Sequence, residues 1–97
     1  MKYRASKTFW DSYDALPDNI KDTADRQLNY FKSDPRHPSL RIRKMESMKG
    51  DVFEGHIRTG WVFVFRYIKD EEGNKAVESL LIGEHDKTYE KAKRMGY

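Results

Sequence analysis

Cysteine is absent from the 97 residues, which removes disulfide staples, thiolate nucleophiles and the usual structural zinc sites together. That absence suits a reducing compartment, and the expected location is the cytoplasm. No apolar run approaches the roughly 20 residues a membrane helix needs, and the polar stretch through Lys7 lacks the apolar centre of a secretory leader. No membrane partner is expected. Glycine is sparse, with 6 residues that all occur singly, so neither a phosphate-cradling P-loop nor a dinucleotide fingerprint is present. The 3 histidines are scattered without zinc-ligand spacing. Asp70-Glu71-Glu72-Gly73 is too short for a calcium loop, and no serine occupies a nucleophile elbow. No metal and no cofactor is expected. What remains is metal-free phosphate chemistry, or binding without chemistry.

What is present describes a globular chain. Hydrophobic residues make up 37% and charged residues 36%, enough to bury one core beneath a strongly charged exterior, so one domain over residues 1–97 is expected. The net charge of +3 is too small to imply a polyanionic partner, but its distribution is uneven. Residues 34–69 carry eight Lys/Arg against four Asp/Glu, whereas 1–33 carry six against five and 70–97 five against seven. The middle third is therefore where a polyanion would be held, if one is held at all.

Hydrophobic spacing sets out the elements. Lys2 to Ala5 reads as a short strand. Ser6 or Thr8 can cap a helix bearing Phe9, Tyr13 and Leu16, with Trp10 beside them. Leu16-Pro17 ends that helix, and Ile20, Ala24, Leu28 and Phe31 mark the buried stripe of a second, antiparallel to the first. The two prolines of Asp34-Pro35-Arg36-His37-Pro38-Ser39-Leu40 make a rigid connector, in which His37 holds the loop. Beyond it the period becomes two: Arg41 and Arg43 alternate with Ile42, and Val52 to Thr59, Trp61 to Lys69 and Ala76 to Ile82 read as strands. Turns fall at Thr59-Gly60 and at Asp70 to Asn74, and Asp86 to Lys93 as a short polar helix. The expected class is α+β: an antiparallel sheet of four to five strands with an N-terminal helix hairpin on one face.

On the strand from Val52, alternation sends Glu54, His56 and Arg58 to one side, and Phe53 and Ile57 to the other. Such a row supplies a proton acceptor, a proton donor and a cation, the parts a metal-free RNA-cleaving site needs. It is equally what a solvated sheet face carries. An antiparallel return would bring His85 to the same edge, with Arg41, Arg43 and Lys44 placed for phosphate contacts. Trp61 and Tyr67 serve packing or base stacking.

The order of these elements resembles the RelE/ParE superfamily of bacterial toxins. The likeness rests on the connector Asp34 to Leu40, the strands Phe53-Glu54-Gly55-His56-Ile57 and Trp61-Val62-Phe63-Val64-Phe65, and the segment Ile82-Gly83-Glu84-His85-Asp86-Lys87-Thr88-Tyr89. The resemblance implies two helices packed on one face of the sheet, a groove on the other, and a cognate antitoxin that covers the toxin. It implies an endoribonuclease that cleaves mRNA on the ribosome, with His85 as general acid, Tyr89 as a stacking or hydrogen-bonding group, and His56 and Trp61 matching the YafQ-like branch. Glu54 is a second candidate base, and Arg41, Arg43, Lys44, Arg58, Trp61 and Lys87 are the candidate RNA contacts. Gly60 and Leu81 depart from that branch, which has aspartate and arginine there, and the missing arginine removes a fixed cation. Two other readings stay open: a ParE-type protein that binds DNA gyrase without cutting RNA, and a decayed homologue that only binds antitoxin.

Overall fold

The computed structural model describes residues 2–97. Ser6 is the cap that starts the first helix: its hydroxyl accepts the Phe9 N–H at 3.1 Å, which supplies a partner for an amide that helix geometry leaves free. Helix α1, Lys7–Asp14, gives way at Leu16-Pro17 to α2, Asp18–Ser33. Ile20, Ala24, Leu28 and Phe31 are the buried stripe of α2, and the Tyr13 hydroxyl donates to Asp25 at 2.6 Å to tie the helices together.

Five strands form one sheet: β1 Lys2–Ala5, β2 Arg43–Lys44, β3 Val52–Arg58, β4 Trp61–Lys69 and β5 Lys75–Glu84, in the order β1-β5-β4-β3-β2. The meander from β2 to β5 is antiparallel, but β1 joins β5 in parallel. The expected all-antiparallel sheet is thus mixed. Four residues carry no hint of direction when their partner lies some seventy positions away. The Ser6 N–H then bonds the Ser79 carbonyl at 3.0 Å, so the chain leaves β1 directly onto the sheet's face.

Arg41 is not in a strand, as the alternation with Ile42 suggested. It caps a turn of 3₁₀ helix over Pro38–Leu40 in the left-handed region, at φ 45° and ψ 48°. His37 shapes that turn, pairing its Nδ1 with the Ser39 hydroxyl at 2.7 Å while its ring stacks on Tyr30 at 4.1 Å.

Both faces of the sheet are packed. Phe9, Leu28, Phe31, Leu40, Ile57, Phe63 and Phe65 fill the layer beneath α1 and α2. The opposite face, expected to be open, is partly covered by a third helix, α3, His85–Arg94, over Met45, Val52, Val64, Leu80 and Leu81. A bulge makes that layer: Val64 pairs with Leu81 and Phe65 with Ser79, so Leu80 is the extra residue and both leucines join the α3 layer. Arg66, which interrupts the apolar run of β4, donates twice to Glu78 at 2.9 and 2.8 Å, meeting a carboxylate that is only 8% exposed.

Candidate functional site

The site begins at the two-residue turn between β3 and β4. Gly60 has φ +83°, a conformation that costs glycine nothing and a side-chain-bearing residue a great deal. Its carbonyl accepts the His85 N–H at 2.8 Å. Glu84 gives α3 no side-chain cap, so the turn satisfies this free helix amide and fixes where His85 begins. Gly55 is needed for packing, because a Cβ there would run into the Phe63 ring. Opposite it, Gln27 lies in the buried stripe of α2 and donates to the carbonyls of His56 at 2.9 Å and Ser39 at 3.2 Å. That amide ties β3 to the connector.

These devices surround a cleft of about 320 Å³ lined by Arg41, Arg43, Glu54, His56, Arg58, Trp61 and His85, with Gly55, Gly60 and Val62. Two histidines from separate stretches of chain thus share one cavity with three arginines. Glu54 is the buried member, 4% exposed, and does not belong to a solvated row. One of its oxygens accepts from the Arg43 Nε, and the other faces His85 Nε2 at 3.8 Å. His85 Nδ1 pairs with Asp86 at 2.9 Å, and its ring stacks on Tyr89 with centroids 4.4 Å apart. The imidazole is therefore held between two carboxylates and an aromatic face.

The electrostatics separate the ionisable groups. Burial lowers the His56 pKa below its ordinary value, and the nearby Arg41 guanidinium lowers it further, so this ring is neutral at pH 7. Burial, then the adjoining Glu54 carboxylate, pushes the Tyr89 phenol up to about 12. Tyr89 keeps its proton, with its ring stacked on His85. Arg43 has its pKa raised by its bond to Glu54 and stays charged.

Other candidates stand apart. Lys44 pairs with Asp51 at 2.9 Å and does not line the cleft. Lys87 lines a different, more apolar groove between α1 and α3, which Trp61 shares. The register shifts between His56 and Arg58, so the strict alternation expected for Glu54, His56 and Arg58 breaks before Arg58. Leu81 is 1% exposed in the layer under α3 and contributes no cation. Sequence reasoning missed Gln27, Asp86 and the Gly60 carbonyl. Gln27 did leave a trace, as a polar residue within an otherwise apolar helical stripe.

No family model and no curated protein matches the sequence. Solved structures do match in three dimensions. A YoeB/ParE toxin from Agrobacterium tumefaciens superposes with a TM-score of 0.67 at 15% identity, covering 88% of this chain and 99% of that one. YafQ from E. coli strain BL21(DE3) gives 0.68 at 10% identity, covering 89% and 94%. The archaeal RelE-RelB complex from Pyrococcus horikoshii OT3 gives 0.61 at 12% identity, covering 86% and 92%. The chain has the RelE/ParE-type fold.

Proposed function

We propose that this protein is the toxin of a type II toxin-antitoxin pair and cleaves mRNA by the RNA's own 2′-hydroxyl. The observation that carries the reading is the meeting of His56 and His85 in one cleft walled by Arg41, Arg43 and Arg58. Neutral His56 takes the proton of the 2′-hydroxyl as its oxygen attacks phosphorus. His85 gives a proton to the departing 5′-oxygen as the P–O5′ bond breaks. The arginines offset the charge that builds on the non-bridging oxygens. Glu54, buried between Arg43 and His85, is a positioning residue here, and Trp61 offers a ring for a base. Products end in a 2′,3′-cyclic phosphate and a 5′-hydroxyl, and no step requires a metal.

The fold neighbours include RelE bound to RelB and YafQ bound to DinJ, which supports a cognate antitoxin as partner. The same reading makes mRNA, presented on the ribosome, the substrate, and the cytoplasm the place of action. The test is cleavage of RNA, free and on ribosomes, with EDTA present and the product ends analysed. His85→Ala is expected to cut the rate by about 100-fold or more, the usual worth of a general acid, with RNA affinity retained. Undiminished cleavage in that variant would remove His85 from the chemistry. Antitoxin binding with no cleavage under any condition would favour a non-nuclease toxin.

A further inference from the structure

Resting on that nuclease reading, we propose that the groove on the far side of Arg41 is a second subsite for single-stranded RNA, holding nucleotides that flank the scissile bond. Arg41 lines both cavities, so the two grooves adjoin at one residue. The second has a volume of about 290 Å³ and is walled by Arg36, His37, Tyr67 and the two connector prolines. It offers cations for phosphates and an aromatic ring for a base.

Several features favour RNA as the occupant. None of the residues lining the groove is acidic, and the exposed Asp34, next to it in sequence, accepts the Arg36 backbone N–H at 3.1 Å. Tyr67 is 39% exposed although its ring packs edge-on against Phe53 and Phe65 at 5.2 and 5.6 Å. It is therefore a fixed aromatic surface, with the Lys75 ammonium over one face of its ring, 4.4 Å from the centroid. The walls are rigid as well. Pro35 and Pro38 restrict the backbone, and His37 is held by Ser39 and by its stack on Tyr30, so little order need be imposed on binding. Arg41 sits in a left-handed conformation rare for a residue with a side chain. Such conformations are kept where a side chain must be aimed, and here it stands at the junction of the two cavities.

The test uses 2′-O-methyl RNA, which lacks the nucleophile and is bound but not cut. The unmodified protein should bind a strand of about twelve nucleotides more tightly than one of about three, a contrast within the usual range of single-strand site sizes. Arg36→Gln, at an exposed position, should lower the slope of log affinity against log salt by about 0.7, one phosphate contact on a single strand. Tyr67→Ala should weaken the long strand by roughly five-fold to a hundred-fold, the range for losing one stacked base. Neither change should alter cleavage of the short RNA. Long-strand affinity and salt slope unchanged in both variants would overturn the subsite, as would loss of a protein partner with RNA binding intact. RNA bound in an Arg36-dependent way but never cut would sink the nuclease reading and leave the subsite standing.

Discussion

Arg41 and His56 come from different elements and are coupled through the cleft they share. Burial is the larger cause of the depressed His56 pKa and Arg41 the smaller. The unfolded chain therefore holds the extra proton between the folded value and 6.5, so His56 costs no stability above that ordinary pKa and destabilises the fold as pH falls below it. Arg41→Gln removes only the charge effect. The His56 ring protons, followed by NMR, should titrate at a higher pH than in the unmodified protein, without reaching the unperturbed value. A midpoint that does not move would uncouple the two side chains. The histidines were legible in the sequence because few residue types can exchange a proton near neutral pH. The burial that sets His56 apart was not, since it depends on what packs over β3.

Helix α3 presents His85 to the cleft and stacks Tyr89 on its ring, and its placement depends on contacts that no pattern within the helix encodes. The Gly60 carbonyl receives its first amide, and Gly83 lets it approach the sheet. A Cβ on Gly83 would lie 2.8 Å from the Thr88 hydroxyl oxygen, closer than side chains tolerate, and Thr88 is itself buried. Gly83→Ala should therefore shift the start of α3. The expected cost is about 1–2 kcal/mol in thermal or urea unfolding, in the usual range for overpacking. Cleavage should fall by more than RNA affinity, because the variant moves the proton donor and leaves the arginines of β2 and β3 in place. Equal losses in both would show that α3 keeps its position. Existence of this helix was readable from its polar, helix-forming residues, but the face it covers was not. It buries only Thr88 and Ala92, with Tyr89 partly buried beside them, and the layer they cover is built by Met45, Val52 and residues of β4 and β5.

Across the whole molecule, one charge cluster links three strands. Glu78 of β5 is held by Arg66 of β4 at 2.8 Å and by Arg4 of β1 at 3.7 Å, so the parallel edge strand is attached to the centre of the sheet. Removing Arg66 would leave a buried carboxylate with the more distant cation alone. Arg66→Ala should cost about 1–3 kcal/mol, the penalty for an under-partnered buried group, read as a lower urea midpoint. An unchanged midpoint would mean that water or Arg4 satisfies Glu78 unaided. By itself the sequence determined the helices, the turns and the meander, because periods of 3.6 and two, prolines and isolated glycines act within a few residues of where they stand. Only the tertiary structure decided the parallel pairing of β1, the layer under α3, the burial of Glu54 and the meeting of His56 with His85. Each joins segments far apart in the chain, and such a meeting is fixed by the shapes of packed side chains and by bulges that shift register, neither of which leaves a periodic mark.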